Sequence, residues 1–201
     1  MARSSQQAPA GERAAGFRAA LGPVHLPRHF VGDEDGTRLR GAYFDRFPGV
    51  WAHGDFAERT ASGGFVIHGR SDATLNANGV RIGTAEIYRI VEGLDEITEA
   101  LAVGQAWDGD TRIVLFVTLA PGAHLDEDLA TRIRRALREQ ASPRHVPSVI
   151  AAAPELPRTR SNKIAELAVA DTLNGRPIRD TSALANASSL EWFADWAMDN
   201  G

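Results

Sequence analysis

Cysteine does not occur in the 201-residue sequence. Disulfide bonds, thiolate metal ligands and a thiol nucleophile are therefore excluded. The six histidines offer no metal-ligand spacing, because His25 and His29 are four residues apart but Pro27 between them disrupts a helix. A Gly-x-Ser-x-Gly sequence is also missing, so a hydrolase with a nucleophile elbow is not supported. We expect no metal site in this chain.

Long hydrophobic runs and a strong excess of one charge are missing too. No apolar run reaches the about 18 residues that a membrane-spanning helix needs. The opening residues, MARSSQQAPAGERAAG, contain no apolar segment, so we expect no secretory signal. The formal net charge of −4 gives no whole-chain attraction to nucleic acid or to an anionic membrane. These absences favour a cytoplasmic protein that binds neither nucleic acid nor membrane.

Lysine is scarce. Of the 22 lysine and arginine residues, only Lys163 is a lysine. The lysine ammonium is a compact charge on a flexible stem, whereas the arginine guanidinium is a planar fork. A single lysine in an arginine-rich chain indicates a position where arginine cannot substitute. Chance is the alternative, and composition alone leaves both open.

The hydrophobic pattern predicts mixed helices and strands. Residues 1–29 lack strong periodicity and are expected to form a disordered or weakly structured arm. Residues 38–47 fit a short helix, and residues 50–70 fit a strand, a turn and a second strand. From 72 to 172 the predicted order is ββαββαβα. Because strands are linked as hairpins, an α+β fold with an antiparallel sheet is favoured over a doubly wound parallel sheet.

The sequence after residue 83 predicts four helices, one of which, KIAELAVADTL, is expected to start at Lys163. Thr84 is expected to cap the first, whose stripe is Ile87, Ile90, Val91 and Leu94. The second, DEDLATRIRRALREQ, has acidic residues in its first turn and arginines later, as the helix dipole favours. Its expected buried side is Leu125, Leu129, Ile133 and Leu137. The tail, SALANASSLEWFADWAM, predicts a final amphipathic helix.

Two short stretches before residue 73 carry groups that could bind a nucleotide. Asp55, in HGDF, can accept hydrogen bonds from two neighbouring hydroxyls such as those of ribose. Arg70 and Asp72 follow the strand FVIH, and the arginine fork suits hydroxyl or phosphate oxygens. A turn aspartate and a surface ion pair are the structural alternatives for the same residues. The local patterns do not choose between these interpretations.

Two further stretches have glycine or lysine at exposed turns. In NANGVRIGTAEI, the pair Asn78-Gly79 predicts a tight turn, and Gly79 permits close approach of a ligand to the backbone. Gly83 leads into a helix N-terminus, which favours anions. In ELPRTRSNKIAE, Lys163 lies near the tip of a loop, where a mobile cation can follow charge onto a reacting carboxylate or phosphate. The alternatives are a hairpin with a helix cap, and a solvated basic loop.

In order along the chain, these stretches resemble the carboxyl-terminal part of the adenylate-forming acyl-CoA synthetases. That superfamily has a ribose-binding Gly-Asp, a Gly-Arg-x-Asp hinge and a Pro-x-Thr-x-Ser-Gly-Lys loop. The counterparts here are Gly54-Asp55, Gly69-Arg70-Ser71-Asp72 and Pro157-Arg158-Thr159-Arg160-Ser161-Asn162-Lys163. Over roughly residues 30–195, YFDRFPGVWAHGDF, HGRSDATLNANGVRIGTAEIYRIVE and SALANASSLEWF are most similar to the acetoacetyl-CoA synthetases in that superfamily.

The resemblance implies an ATP-dependent, AMP-forming acid–CoA ligase. Acetoacetate, or a similar short acid, and ATP would give acyl-adenylate and pyrophosphate, and the thiol of CoA would then displace AMP. Mg²⁺ is expected with ATP, without a ligand in this chain. The implied roles are ribose binding by Asp55 with help from Arg70, a hinge at Asp72, catalysis of adenylation by Lys163, and CoA contacts at Gly79, Arg81 and Arg138.

The resemblance also implies how the chain is organised. Residues 30–71 would be the end of a large domain, 72–172 the small catalytic-lid domain with a three-stranded antiparallel sheet and a β-hairpin, and 173–201 an extension. Asn162 stands where the family has glycine, and asparagine tolerates a positive φ better than other residues. The phosphate loop and acyl pocket of the family have no counterpart in residues 1–30, so we expect a fragment that is inactive alone. A lid module acting in trans and a remnant without function are the alternatives.

Overall fold

The computed structural model describes residues 13–15, 31–45, 47–48, 50–52, 54–70, 75–77, 80–178 and 181–200. The chain divides into two compact units, residues 1–72 and 73–201. The predicted boundary between large-domain remnant and lid domain, at residues 71 and 72, lies beside this division.

The first unit contains a short helix, α1, which spans Thr37–Tyr43. The carboxylate of the buried Asp33 accepts hydrogen bonds from the backbone N–H groups of the two residues after Thr37, each at 2.9 Å. These N–H groups have no partner within the helix, so Asp33 stabilises the helix start. The carbonyl of Tyr43 accepts a hydrogen bond from Ala52 N–H at 2.7 Å. The helix ends there, four residues earlier than its hydrophobic pattern predicts.

The sheet of the first unit has three antiparallel strands in the order β1-β2-β3. They are β1 (Arg13–Ala15), β2 (Asp55–Arg59) and β3 (Phe65–Arg70). The predicted strand–turn–strand is confirmed by β2 and β3, and Gly63 in their turn has a φ of 87°. Strand β1 lies within the segment that we expect to be weakly structured, and it forms because β2 has an open edge with free hydrogen-bonding groups. The rest of that segment, including His25 and His29, lies outside the described residues.

The second unit confirms the predicted order of elements. Its elements are β4 (Leu75–Ala77), β5 (Val80–Ile82), α2 (Thr84–Val91), β6 (Ile97–Trp107), β7 (Asp110–Leu119), α3 (Glu127–Gln140), β8 (Val149–Ala152), α4 (Glu166–Leu173) and α5 (Ser189–Asn200). Short 3-10 turns lie at Pro143–His145 and Thr181–Ala183. Strands β4 and β5 form an antiparallel hairpin, and β6, β7 and β8 form a second sheet.

The larger sheet is mixed, which corrects the predicted antiparallel sheet. Strands β6 and β7 are antiparallel, but β8 pairs with β7 in parallel, with Val114 opposite Val149. The physical reason is the connection: α3 carries the chain back across the sheet between β7 and β8, and such a β-α-β crossover joins parallel strands. The α+β class itself is confirmed.

Both faces of the sheet are buried, each under a pair of helices. On one face, side chains of β6 and β7 pack against α2, α3 and the β4–β5 hairpin, and the predicted stripes of α2 and α3 are confirmed. On the other face, alternate residues such as Leu101 and Phe116 pack against α4 and α5. Alternation of side chains along a strand assigns each residue to one cluster or the other. The sheet is therefore the middle layer of a helix–sheet–helix arrangement.

Two helix starts differ from the sequence-based expectation. Thr84 is the first residue of α2 and not its cap; the cap position is Gly83, which has no side chain to accept a hydrogen bond. Thr84 is 3% exposed, so its side chain is buried at the start of the helix. Helix α4 starts at Glu166, three residues after Lys163, because Ile164 still pairs with Arg158 in a β-bridge.

Candidate active site

The segment 157–165, which we call the lysine loop, is a small hairpin. Arg158 and Ile164 form an antiparallel bridge, and Thr159 N–H donates to the carbonyl of Lys163 at 2.8 Å. Asn162 N–H donates back to the carbonyl of Thr159 at 2.8 Å. The turn therefore consists of residues 160–162, and its last residue is in the left-handed conformation, as in common three-residue hairpin loops. The hairpin carries Lys163 immediately after the turn.

Asn162 has a φ of 62°. This conformation costs most residues with a Cβ about 1–2 kcal/mol, and glycine and asparagine adopt it most readily. The asparagine in place of the family's glycine is therefore compatible with the loop geometry. The sequence-based argument about Asn162 is confirmed in this respect.

Thr159 ties the two sides of the turn together. Its hydroxyl oxygen accepts a hydrogen bond from Lys163 N–H at 3.1 Å and lies 3.0 Å from the hydroxyl oxygen of Ser161. Backbone and hydroxyl bonds thus hold the peptide of Lys163 in place. The side chain of Lys163 is exposed, and no acidic side chain among the described residues forms an ion pair with it. A fixed backbone therefore carries an exposed lysine side chain.

Arg158 connects the lysine loop to the central sheet. Its guanidinium forms an ion pair with Glu99 of β6 and donates from Nη1 to the carbonyl of Asn162 at 2.8 Å. The side chains of Arg158 and Glu99 are only 26% and 34% exposed, so solvent screens this pair less than a pair on the open surface. The pair fixes the turn to a strand whose centre is in the core.

In the first unit, strand register brings two predicted nucleotide-binding residues together. Asp55 begins β2 and lies directly opposite Arg70, the last residue of β3. The half-buried Asp55 follows Gly54, whose φ of 87° favours glycine. Both residues are at the end of the hairpin away from its turn. The side chain of Arg70 lies outside the described part of the chain.

The remaining predicted residues are spread over separate elements. Asp72 and Gly79 lie outside the described residues, although the division between the two units falls between Asp72 and Ala73. Arg81 is on β5 opposite Asn76. Arg138 is exposed in the last turn of α3. The structure does not bring Arg138 into the lysine loop.

Comparison with known proteins identifies the second unit. Residues 86–163, from α2 to Lys163, match the family described as AMP-binding enzyme C-terminal domain. The acetoacetyl-coenzyme A synthetase of Rhizobium meliloti (strain 1021) is 58% identical over 169 residues, which cover 84% of this chain and 26% of that protein. Residues 86–163 are thus an AMP-binding enzyme C-terminal domain. The acetoacetyl-CoA synthetase of Mus musculus is 46% identical over 171 residues, 84% of this chain and 25% of that protein.

A solved structure agrees with this family assignment. The acetoacetyl-CoA synthetase from Streptomyces lividans superimposes with a TM-score of 0.78 at 42% identity, and covers 86% of this chain and 26% of that one. The α+β fold of this acyl-CoA synthetase family is thus present in the chain. The chain spans about a quarter of the length of the relatives it matches.

Sequence reasoning missed a polar link between the helices on opposite faces of the sheet. The hydroxyl of Tyr88 on α2 donates to Glu166 Oε1 on α4 at 2.8 Å and accepts from Ala102 N–H on β6 at 3.3 Å. Burial, and then the nearby Glu166 carboxylate, raise the pKa of Tyr88 well above its ordinary value, so the hydroxyl stays a donor. No local pattern marks two residues 78 positions apart. The pair joins the helix that opens the matched domain to the one that follows the lysine loop.

The described residues contain no group of three or more histidine, aspartate or glutamate side chains that could hold a metal ion. None of the helices in the described ranges is long and apolar enough to cross a membrane.

Proposed function

We propose that this chain supplies the lid domain of an AMP-forming acid–CoA ligase that uses acetoacetate. In the first step a carboxylate oxygen attacks the α-phosphorus of ATP and pyrophosphate leaves. In the second step the thiol sulfur of CoA attacks the acyl carbon, the bond to AMP breaks, and the thiol proton passes to solvent. The lysine loop, which fixes the backbone of Lys163 and leaves its ammonium free, is the observation that carries this proposal. The acyl specificity rests on the relatives' names.

Lys163 would act in the first step. Negative charge accumulates on the oxygens around the α-phosphorus as the new bond forms, and a positioned cation stabilises that charge more than it stabilises the separate substrates. The flexible stem lets the ammonium reach the carboxylate and α-phosphate from a fixed loop. Loss of such a group costs about 10²–10³-fold in rate.

The other residues would serve the nucleotide, the hinge and CoA. Asp55 would accept hydrogen bonds from the ribose hydroxyls, and Arg70, opposite it in the sheet, would assist. A hinge at Asp72 is supported by the division of the chain at that residue. Gly79 would leave room for the pantetheine arm, and the CoA contacts would come from Arg81 and Arg138. Mg²⁺ would enter with ATP; no ligand for it is assigned among the described residues.

The test is a chimera in which this chain replaces the matching region of the Rhizobium meliloti relative. We expect acetoacetate-dependent pyrophosphate release by the chimera, and a fall of about 10²–10³-fold in its Lys163→Ala variant. Arg160→Ala, which removes an exposed cation from the same loop, is the matched control and should stay within a few-fold of wild type. Equal rates for wild type and Lys163→Ala would remove the lysine from the mechanism.

A lid module that acts in trans is the second candidate, and the self-contained lysine-loop unit favours it. Purified residues 1–201 would be mixed with a separate large domain of the same relative. We expect no pyrophosphate release by the chain alone and a rate that rises with its concentration in the mixture. Release by the chain alone would refute the need for a large domain.

A further inference from the structure

We propose that residues 181–186, which we call the brace, hold the lysine loop in its working position, and that Asn186 is the positioning residue. This proposal rests on the function proposed for Lys163. The brace lies outside the matched domain at residues 86–163. Under this proposal, residues beyond that domain therefore help to position Lys163 for the first reaction step.

The brace pairs with the lysine loop as a further strand would. Arg160 N–H donates to the carbonyl of Ala183 at 2.9 Å, and Ala185 N–H donates to the carbonyl of Arg158 at 2.7 Å. Between these two bonds, Thr159 and Leu184 form an antiparallel bridge. One edge of the hairpin is thereby occupied, and the turn that precedes Lys163 loses the freedom of an open edge.

The side chain of Asn186 completes this pairing. Its Oδ1 accepts a hydrogen bond from Arg158 N–H at 2.7 Å. Its Nδ2 donates to the carbonyl of Leu156 at 3.2 Å and to Glu155 Oε2 at 3.0 Å. An amide side chain has two donors and a carbonyl acceptor, and Asn186 uses both kinds of group on residues 155–158.

The brace is itself anchored in the core. Leu184 is buried in the cluster between the sheet and α4 and α5. The carbonyl of Asn186 accepts hydrogen bonds from the hydroxyl and the N–H of Ser189, at 2.7 and 3.0 Å, where α5 begins. The buried Phe193 then fixes α5 against the sheet. Movement of the lysine loop away from this face would break the Asn186 bonds before it disturbed the core.

The single lysine of the sequence allows a direct test. A lysine-specific endoproteinase has one cleavage site in the whole chain, between Lys163 and Ile164. When opening and closing are fast relative to cleavage, the cleavage rate measures how often the loop opens. Loss of the Asn186 bonds in Asn186→Ala should raise the rate about 5–30-fold, the factor that corresponds to one or two hydrogen bonds.

Three comparisons make the test decisive. Asn186→Asp keeps the acceptor for Arg158 N–H but places a carboxylate oxygen beside Glu155 Oε2 and the carbonyl of Leu156, so its rate should be at least as high as that of Asn186→Ala. Asn200→Ala, a matched change near the end of α5, should cleave as wild type does. Because the unfolded chain lacks these bonds too, the urea midpoint of Asn186→Ala by circular dichroism should fall by about 0.5–1 M. Its cleavage rate should change little in low urea, as expected when the loop opens locally. An unchanged cleavage rate, a rise also seen in Asn200→Ala, or a cleavage rate that changes with urea as steeply as global unfolding does would each overturn the proposal.

Two further arms cover the remaining cases. If Asn186→Ala does not fold, the cleavage rates of Asn186→Asp and Asn200→Asp are compared instead. The proposal is overturned if Asn186→Asp is cleaved less than about twice as fast as Asn200→Asp. In the chimera, Asn186→Ala should lower kcat for adenylation and leave KM for ATP unchanged. If the wild-type chimera is inactive, the proposed function fails, whereas the cleavage result still reports on the brace. An unchanged kcat in an active chimera would overturn the positioning role.

Discussion

Replacement of Phe193 by alanine tests whether α5 is part of the core of the second unit. The Phe193 side chain is fully buried, at 0% exposure. Its ring meets that of Phe116 on β7 edge to face, with centroids 4.9 Å apart and an interplanar angle of 81°. The helix reaches the sheet at this contact, so Phe193→Ala removes the contact and leaves a cavity beneath the brace.

The expected loss of unfolding free energy is about 3–5 kcal/mol. This is the usual cost of a buried phenylalanine-to-alanine change, which combines lost hydrophobic transfer with a cavity that the surroundings fill only in part. About 0.5–1.5 kcal/mol of it comes from the aromatic pair beyond its buried area. Because domains are stable by only about 5–15 kcal/mol, the loss is a large fraction of the total.

Urea unfolding followed by tryptophan fluorescence measures this loss. Trp192 and Trp196 flank Phe193 on α5 and also contact Phe116, at 6.0 and 5.0 Å between ring centroids, so they report on this part of the core. With a slope of about 2 kcal/mol per molar urea, the midpoint should fall by about 1.5–2.5 M. Met198→Ala is the control, because Met198 lies on the same helix and is 83% exposed. A fall of less than about 0.5 M for Phe193→Ala would refute the integration of α5 into the core.

Other changes test the loop, the buried link and one ion pair. Asn162→Ala should cost about 1 kcal/mol, because alanine tolerates the positive φ less well, whereas Asn162→Gly should cost nothing; lysine-specific cleavage measures both. Tyr88→Phe should cost about 1–3 kcal/mol in urea unfolding, since the hydrogen bonds of its hydroxyl to Glu166 and to Ala102 N–H are lost. The difference between the pH titrations of wild type and Tyr88→Phe should show that Tyr88 ionises only well above pH 10, because its pKa is raised. The hydrogen bond from Arg132 lowers the pKa of Glu96 below 4.5 in the folded state, so this pair stabilises the fold above pH 4.5 and loses its effect as pH falls through the lowered pKa. In Glu96→Gln, the urea midpoint should therefore change less with pH below about 4.5 than it does in wild type.

The order of elements could be predicted because its signals are local. The stripe of Ile87, Ile90 and Val91 repeats with the helical period, and the turn between β6 and β7 is marked by residues 108–110 between two apolar runs. Strand pairing could not be predicted in this way, because it depends on residues that are far apart in the sequence. The parallel pairing of β8 depends on the path of α3 across the sheet. A prediction based on hairpin links alone does not include that path.

The site was predictable to the extent that it lies in contiguous motifs. Lys163 and its turn are read directly from the order of residues 157–163. The brace is not, since Asn186 lies 28 residues from the backbone N–H that it binds, and nothing near it in the sequence specifies that partner. The link from Tyr88 to Glu166 has the same character. Pairs of this kind depend on how α4 and α5 pack on the sheet, and hydrophobic period does not encode that packing.

The contrast between lysine and arginine in this structure follows from what each side chain is used for. Two arginines of the second unit form ion pairs with carboxylates, Arg158 with Glu99 and Arg176 with Asp171. A guanidinium at position 163 would keep the charge but spread it over a planar group whose donors point in fixed directions, unlike the compact ammonium. Lys163 has a backbone fixed by Thr159 and an ammonium without such a partner among the described residues. A cation that must reach charge formed elsewhere needs this combination, and Lys163→Arg in the chimera should accordingly slow adenylation even though the charge is kept.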